Sequence, residues 1–245
     1  MISLPAMIER AARLNTHAVA MRHRERQFTW AELHDRIARL GAALNKLGLV
    51  DGSRAAILSL NSVRYYEAVF AIPWAGLSMV PLNTRWALPE NRYALTDSGS
   101  QVLLFDDAFS EQAQSLVHDI ADLEHAIYLG DGECPAWAVA LEALIADHEP
   151  IAASSRGGDD MAGIFYTGGT TGFPKGVMQS HRAIWASAIG SMPEFQLNRE
   201  SVYLHVAPMF HMADFAASMG TTLGASRHVV LQSFDPGQAL HTLAK

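Results

Sequence analysis

The sequence predicts an α/β protein whose sheets are mainly parallel and are flanked by helices. Apolar runs of strand character alternate with amphipathic helical stretches, at the spacing expected of βαβ units. Hydrophobic residues make up 49% of the 245 residues and charged residues 18%, which is an ordinary globular balance. A chain of this length buries roughly 70–75% of its unfolded surface, which is enough for a substantial core.

The elements before residue 150 follow one another closely. The clearest helix begins at the capping box Thr29-Trp30-Ala31-Glu32, carries apolar side chains at steps of three and four, and stops at Gly48. A cap at 61–62 begins the next helix, and the charge run 22–26 is expected at the tip of a hairpin. The helices predicted in this half are 5–14, 29–47, 63–74, 89–98, 109–120 and 138–146, and the strands are 18–21, 54–60, 79–82, 101–105 and 126–129.

The second half begins with the one stretch of linker composition, residues 154–160, which predicts a seam between subdomains. Next come a strand at 161–165, a Gly-rich loop at 166–176 that is neither helix nor strand, and a helix at 182–192 that Ser180 caps. A strand at 202–206, a helix at 212–223, a strand at 227–232 and a helix from 235 complete the predicted alternation.

The Gly-rich loop, YTGGTTGFPKG, has the groups that bind a polyphosphate. Its glycines let backbone N–H groups point into one concavity, its threonines add hydroxyl donors, and its lysine adds an ammonium. A flexible surface turn is the alternative. It is not a Walker A loop, because Lys175 lies between Pro174 and Gly176 where that motif begins a helix. The predicted phosphate-binding residues are Thr167, Gly168, Gly169, Thr170, Thr171, Gly172 and Lys175.

Residues 167–176 resemble the phosphate-binding signature of the AMP-forming acyl- and aryl-CoA synthetases, the adenylate-forming superfamily. That signature reads [ST]-[SG]-G-[ST]-T-G-x-P-K-G, and the chain matches it at every specified position. The stretches 28–44 and 61–86 look like the early part of the same enzymes. The resemblance implies the layered αβαβα N-terminal domain of this superfamily. It also implies that the loop binds the phosphates of ATP, that Mg²⁺ is a further cofactor, and that Lys175 is a catalytic residue.

A second segment, Pro208-Met209-Phe210-His211, follows a predicted strand, at the end where α/β sheets place ligands. A loop histidine packed on its neighbours is the alternative. The segment resembles the P-x-[FY]-H of the same family, in which the histidine borders the pocket for the acyl group and carboxylate. The resemblance implies a catalytic role for His211 and acid-binding roles for Phe210, His211 and Asp214. The family usually has glycine where this chain has Asp214, which leaves the acid's identity open.

The resemblance implies a reaction in two steps. A carboxylic acid attacks ATP to give acyl-AMP and pyrophosphate, and the thiol of CoA then takes the acyl group. Fatty acids are the first candidates, and aromatic and short-chain acids remain open. Two other functions remain open: an adenylation domain that loads a carrier protein, and a non-catalytic nucleotide-binding module.

Enzymes of this family are about twice as long as this chain. Their later motifs for adenine and ribose, their hinge and their C-terminal catalytic lysine do not appear here. We therefore interpret residues 1–245 as the N-terminal part of the AMP-binding domain, without the C-terminal domain. We expect this part alone to bind ATP weakly and to catalyse little.

Composition excludes several other classes. The net charge of −7 argues against a general nucleic-acid surface, and the lone Cys134 allows no internal disulfide. There is no G-x-S-x-G of a serine hydrolase and no histidine or cysteine spacing typical of zinc, so we expect no metal held by the protein alone. The longest apolar stretch, 68–82, is too short to span a bilayer. We expect a cytoplasmic protein, for which a homodimer is compatible with the resemblance.

Overall fold

The structure, a computed structural model, describes residues 2–168 and 174–244. Helices and strands alternate along these residues as the sequence predicts. The strands are β1 (Val19–His23), β2 (Arg26–Thr29), β3 (Arg54–Leu58), β4 (Ser78–Pro81), β5 (Ser100–Phe105), β6 (His125–Tyr128), β7 (Val139–Ala140), β8 (Met161–Thr167), β9 (Lys175–Ser180), β10 (Val202–His205) and β11 (Arg227–Val230). The helices are α1 (Leu4–Leu14), α2 (Trp30–Asn45), α3 (Val63–Trp74), α4 (Leu88–Ser98), α5 (Ser110–Asp119), α6 (Leu141–Asp147), α7 (His181–Glu194), α8 (Met212–Leu223) and α9 (Pro236–Leu243).

In the described residues the strands form two sheets. The larger sheet has the order β7-β6-β5-β3-β4-β8-β9, and only its β8–β9 pair is antiparallel. The smaller sheet has the order β10-β11-β1-β2, and only its β1–β2 hairpin is antiparallel. Both sheets are therefore mainly parallel, which confirms the predicted fold class.

Helices separate the two sheets and cover their outer faces. The larger core cluster joins side chains of α1, α2, α3, α7 and α8 to one face of each sheet, and all twelve residues of α3 are buried. A second cluster packs α4 and α5 on the other face of the large sheet. On the outer face of the small sheet, α9 borders a groove lined by side chains of β1, β10 and β11. These layers reproduce the expected αβαβα order.

Local capping explains most of the helix boundaries. Thr29 and Glu32 form the predicted capping box, with each side chain accepting a hydrogen bond from the other residue's backbone N–H. Ser62 and Ser180 accept N-cap hydrogen bonds from the amides of Tyr65 and Ala183. These caps confirm the starts of α2, α3 and α7.

Two predicted elements were wrong in detail. The stretch 166–176 was expected to contain no strand, but β8 extends through Thr167 and β9 begins at Lys175. Exposed residues fill most of β9, so its sequence lacks a buried alternation, and its pairing with β8 makes it a strand. The helix expected at 138–146 begins at Leu141, because Val139 and Ala140 first pair with β6.

The charge run at the tip of the β1–β2 hairpin makes specific contacts. Arg24 and Arg26 both pair with Asp131, which lies after β6 in the large sheet. The largely buried Arg64 at the start of α3 pairs with the same carboxylate and with Glu142. The tip of the hairpin is therefore exposed to solvent and is also joined to the large sheet by ion pairs.

The stretch 154–160 packs against three elements. The amide of Ser154 donates to the carbonyl of Trp74, and that of Gly158 donates to the carbonyl of Ile2. Arg182, at the start of α7, donates its amide to Gly158. A seam between subdomains at this position stays a prediction. No helix among the described residues combines the length and apolar character needed to cross a membrane.

We predict that His181 makes the stability of this chain depend on pH. It is 1% exposed, and its Nδ1 accepts a hydrogen bond from the amide of Leu4. Burial, the main cause, and the nearby Arg156 lower the pKa of His181 to about 4. The unfolded chain therefore binds more protons between pH 6.5 and pH 4, and stability falls as the pH drops through that range. From pH 7 to pH 5 the expected loss from this residue is about 2 kcal/mol.

Urea unfolding at pH 7 and pH 5 tests this prediction. In the variant His181→Asn the side-chain oxygen can still accept from Leu4 but does not titrate, so the loss between the two pH values should shrink by about 2 kcal/mol. The exposed His17, replaced by asparagine, is the matched control and should leave the loss unchanged. An equal loss in wild type and His181→Asn would contradict the assignment.

Candidate functional site

The candidate site lies at the carboxyl edge of the large sheet. Strands β3, β4 and β8 are parallel, so their carboxyl ends meet at one edge. If the register is continued from the Met79–Gly163 pair, the end of β8 lies level with the end of β3. One strand separates β3 from β8, which places their ends about 10 Å apart.

The described ends of the phosphate signature form a hairpin at this edge. Thr167 ends β8 and lies opposite Lys175, the first residue of β9. The Thr167 hydroxyl is 3.5 Å from the carbonyl oxygen of Lys175. Thr167, Gly168 and Lys175 are exposed, and a Cβ on Gly168 would meet no atom of the described residues within 4 Å. The described residues on either side of 169–173 thus expose the hydroxyl of Thr167, the backbone of Gly168 and the ammonium of Lys175.

Part of the predicted phosphate site lies outside the described residues. These residues are Gly169, Thr170, Thr171 and Gly172, and their roles stay predictions. Among residues 2–168 and 174–244, no carboxylate lies within 4.0 Å of the Lys175 ammonium, so no ion pair within that part of the chain holds it.

Close packing fixes the hairpin at the end of the signature. Gly176 lies opposite Tyr166, and a Cβ on Gly176 would come within 2.8 Å of Ile164 Cγ2 and 3.1 Å of the Tyr166 ring. The Tyr166 hydroxyl donates to Asp97 Oδ2 at 2.6 Å. Burial and this carboxylate raise the pKa of Tyr166, so the phenol stays protonated and the bond is kept. The strand pair that carries Lys175 is therefore anchored to α4.

The segment 208–211 is held at the same edge by Asn61. Asn61 follows β3 and is 4% exposed. Its Nδ2 donates to the carbonyl of Ala207 at 2.8 Å, and its Oδ1 accepts from the amide of Met209 at 2.8 Å. These two bonds connect the loop after β10, in the small sheet, to the end of β3 in the large sheet. Contact between the rings of Phe165 and Phe215, with centroids 4.9 Å apart, also joins β8 to α8.

His211 is the N-cap of α8. Its Nδ1 accepts a hydrogen bond from the amide of Ala213 at 3.3 Å, and the residue is exposed. A neutral imidazole that accepts at Nδ1 carries its proton on Nε2. The Nε2–H of His211 has no hydrogen-bond partner among residues 2–168 and 174–244, and the half-buried Phe210 beside it packs against the main core.

Asp214 is buried, with 1% exposure. Its Oδ1 accepts from the hydroxyl of Tyr203 at 3.1 Å, and its Oδ2 lies 2.8 Å from His205 Nδ1. Burial and this carboxylate raise the pKa of Tyr203. Both carboxylate oxygens are therefore engaged with β10, and the predicted contact of Asp214 with the acid stays a prediction.

A cavity of about 340 Å³ lies between the end of α7, β10 and α8. Its lining residues are Phe195, Leu197, Ser201, Val202, Tyr203 and Ala217. Aromatic and aliphatic side chains make most of this wall, and two hydroxyls provide hydrogen-bonding groups. Such a lining suits an apolar group of a small molecule.

The sequence did not identify Asn61, Tyr203 or His205 as residues of the site. Asn61 was expected only as part of the helix cap 61–62, since nothing in a sequence shows which distant backbone an amide will contact. Tyr203 and His205 are two residues apart in a strand, which predicts a shared face and was the available signal. Among the described residues, no group of three or more His, Cys, Asp or Glu side chains could hold a metal ion.

Comparison with known proteins identifies the family of this chain. Residues 8–245 match the family model of the AMP-binding enzymes. A feruloyl-CoA synthase from Amycolatopsis sp is 36% identical over 232 residues, which are 94% of this chain and 44% of that protein. A long-chain-fatty-acid–CoA ligase from Thermus thermophilus is 31% identical over 204 residues, which are 82% of this chain and 37% of that protein.

Solved structures show the same fold. The crystal structure of ATP-bound MatB from Rhodopseudomonas palustris matches with a TM-score of 0.87 and 27% identity, over 100% of this chain and 48% of MatB. The chain spans less than half the length of the relatives it matches. The signature, the layered fold and these relatives lead to one conclusion: the chain belongs to the family of AMP-binding enzymes.

Proposed function

We propose that this chain is the part of an AMP-forming acid–CoA ligase that holds the phosphates of ATP and the carboxylate of the acid. The observation that carries the proposal is the hairpin of residues 167–176. Its described ends expose Thr167, Gly168 and Lys175 at the edge where α/β sheets bind ligands. The ATP-bound state of the structurally similar MatB supports the choice of nucleotide.

In the proposed first step the acid's carboxylate attacks the α-phosphorus of ATP and pyrophosphate leaves, which gives acyl-AMP. Lys175 binds the outer phosphates and stabilises the negative charge that develops on pyrophosphate. His211 donates from Nε2 to an oxygen of the acid and orients it. In the second step the thiol of CoA attacks the acyl carbonyl, and AMP leaves.

Mg²⁺, when bound, supplies further positive charge to the phosphates. We propose that it arrives on ATP, since no cluster of acidic or histidine ligands for it lies among residues 2–168 and 174–244. A carrier-protein thiol in place of CoA is the alternative acceptor. A cytoplasmic location and a homodimer also stay predictions.

Replacement of Lys175 tests the proposed function. In a ligase that contains this chain, Lys175→Ala should lower acid-dependent ATP–pyrophosphate exchange by about 10²–10³, because one preorganised donor to the developing charge is lost. Folding should change by no more than about 0.5 kcal/mol, since the side chain is exposed. The measurements are the exchange rate and urea unfolding.

Lys46, an exposed lysine after α2, is the matched control, and Lys46→Ala should keep the full exchange rate. A large loss of stability in Lys175→Ala would show a structural lysine instead. ATP affinity of the 245-residue chain separates the ligase from a non-catalytic module, because tight binding with no exchange in the longer protein favours the module.

The acyl group of the acid has a defined place in this proposal. Ala217 lines the cavity beside α8 and lies six residues after His211, or about 9 Å along the helix axis. An acid whose carboxylate contacts His211 needs an acyl group of about that length to reach the cavity. A fatty acid is the first candidate. An aromatic acid is the second, favoured by 36% identity to a feruloyl-CoA synthase against 31% to a fatty-acid ligase.

Filling the cavity should separate long acids from short ones. Ala217→Phe should lower kcat/KM for acids that reach the cavity by at least about tenfold, because their acyl group loses its space. Short acids should change by no more than about twofold. Ala217→Val is a smaller step for use if the larger side chain destabilises α8. Ala186→Phe, on the exposed face of α7, is the control, and equal losses for all acids would place the acyl group elsewhere.

We expect a substitution of Asn61 to raise KM for the acid more than KM for ATP. Asn61→Ala leaves the carbonyl of Ala207 and the amide of Met209 without partners, which should cost about 1–3 kcal/mol of folding free energy. The loosened loop carries His211, so KM for the acid should rise several-fold more than KM for ATP. Asn61→Asp keeps only the acceptor and should be intermediate.

The control for Asn61 is Asn83→Ala, which removes a side-chain acceptor from an exposed turn after β4. It should leave both KM values and stability nearly unchanged. If Asn61→Ala raised both KM values equally, the loop would have no special connection with the acid.

A further inference from the structure

The proposed mechanism does not use one group of buried ionisable side chains. This group, which we call the buried relay, consists of Asp214, His205 and His228. Its members are 1%, 0% and 0% exposed. Buried charges and imidazoles are costly unless they are hydrogen-bonded, so their arrangement must satisfy each polar atom.

Short hydrogen bonds connect the members of the relay. Asp214 Oδ2 is 2.8 Å from His205 Nδ1, and His205 Nε2 is 2.9 Å from His228 Nδ1. The two imidazole planes are 13° apart and their centroids are 5.2 Å apart, as expected for rings joined end to end by a hydrogen bond. Beyond them, Thr222 Oγ1 is 3.4 Å from His228 Nε2 and 2.6 Å from the hydroxyl of Tyr66.

The direction of these bonds follows from their acceptors. The carboxylate of Asp214 can only accept, so His205 donates from Nδ1. The other nitrogen of His205, Nε2, is hydrogen-bonded to His228 Nδ1. Burial, the main cause, and the adjacent His205 lower the pKa of His228 well below its usual value, which keeps its ring neutral. The hydrogen bonds therefore fix the orientation of both imidazole rings.

The relay lies beside His211. Strand β10 ends at His205, and α8 begins with His211 as its N-cap and has Asp214 in its first turn. The bond between His205 and Asp214 therefore joins the two ends of the loop 206–211. Tyr203 adds a second bond from the same strand to the same carboxylate. The first turn of α8 cannot rotate or shift without breaking both.

We propose that the buried relay and Tyr203 act as positioning residues, which hold the first turn of α8 so that His211 presents Nε2–H to an oxyanion of the acid. The ligand part of this inference rests on the proposed function, whereas the positioning part concerns the chain alone. Asn61 fixes the middle of the loop from the large sheet, and the relay fixes its end from the small sheet.

The test compares two substitutions of Asp214 in the 245-residue chain without ligand. Asp214→Ala removes both bonds to β10. Asp214→Asn keeps its shape, accepts from His205 through Oδ1 and donates to the Tyr203 oxygen through Nδ2. If Asp214→Ala does not fold, His205→Leu and His205→Asn form the second pair, because only asparagine can still donate to Asp214.

The readout is the N-cap bond of His211, followed by NMR. In Asp214→Ala, exchange of the Ala213 amide should become about five- to tenfold faster, and the ¹⁵N shifts of His211 should lose the pattern of a single tautomer. In Asp214→Asn the exchange rate of the Ala213 amide should lie within about twofold of wild type, and the ¹⁵N shifts of His211 should again show a single tautomer. The Ala183 amide, which donates to Ser180 at the cap of α7, is the internal control and should not change.

Unchanged Ala213 exchange and His211 shifts in Asp214→Ala would overturn the positioning role. An equal acceleration at Ala183 would also overturn it, because the loss would then be general loosening. In a ligase containing this chain, Asp214→Ala should raise KM for the acid about tenfold, with KM for ATP unchanged, and Asp214→Asn should restore it.

These two readouts separate the positioning role from the proposed function. If the NMR signals of His211 change and KM for the acid does not, the relay positions His211, but His211 does not bind the acid. If ATP–pyrophosphate exchange is absent from the wild-type ligase, the proposed function fails while the NMR result stands.

Discussion

The candidate site depends on the side-chain amide of Asn61, which joins the two sheets where their strands end. One sheet carries the phosphate signature and the other carries His211, so their distance is set by whatever connects the sheets at that edge. Asn61 makes one bond as donor and one as acceptor with backbone groups two residues apart. No shorter polar side chain can do both from the end of β3, and a carboxylate can only accept. The bonds are buried, so water competes for them weakly.

The hairpin of β8 and β9 is the second fixed part of the site. A phosphate loop must be open enough to expose amides, yet its ends must not move. Here the ends are strands, and the tight contact of Gly176 with Tyr166 brings them together without a side chain between them. The bond from Tyr166 to Asp97 then connects the hairpin to α4. The described ends of the phosphate signature are therefore held by the strand pair and by α4.

Much of the fold could be predicted because local signals agree with the final packing. The capping box at Thr29, the cap at Ser180 and the αL glycine after α4 mark helix ends wherever the chain is placed. Strand β9 could not be predicted, because most of its side chains face solvent and only the backbone of β8 makes it a strand. The short strand β7 could not be predicted for the same reason, because its pairing with β6 makes it a strand.

The site could be predicted only as far as its chemistry lies in contiguous segments. The signature and the segment 208–211 make Lys175 and His211 candidate site residues without any knowledge of the fold. The contacts of Asn61 and of His228 span 146 and 23 residues of sequence, and no local pattern indicates them. Their partners become neighbours only when the two sheets and α8 are in place.

The role of the Asp214 side chain depends on the residues that surround it. A carboxylate beside an acid-binding pocket would repel a carboxylate ligand and would bury a charge without compensation. In this chain Tyr203 and His205 engage both of its oxygens, and its place in the first turn of α8 also gives it a favourable interaction with the helix dipole. Glycine at the same position would need none of these partners and would leave His205 without an acceptor. The four residues Asp214, Tyr203, His205 and His228 therefore form one structural unit, and the role of the aspartate should be interpreted from this unit as a whole.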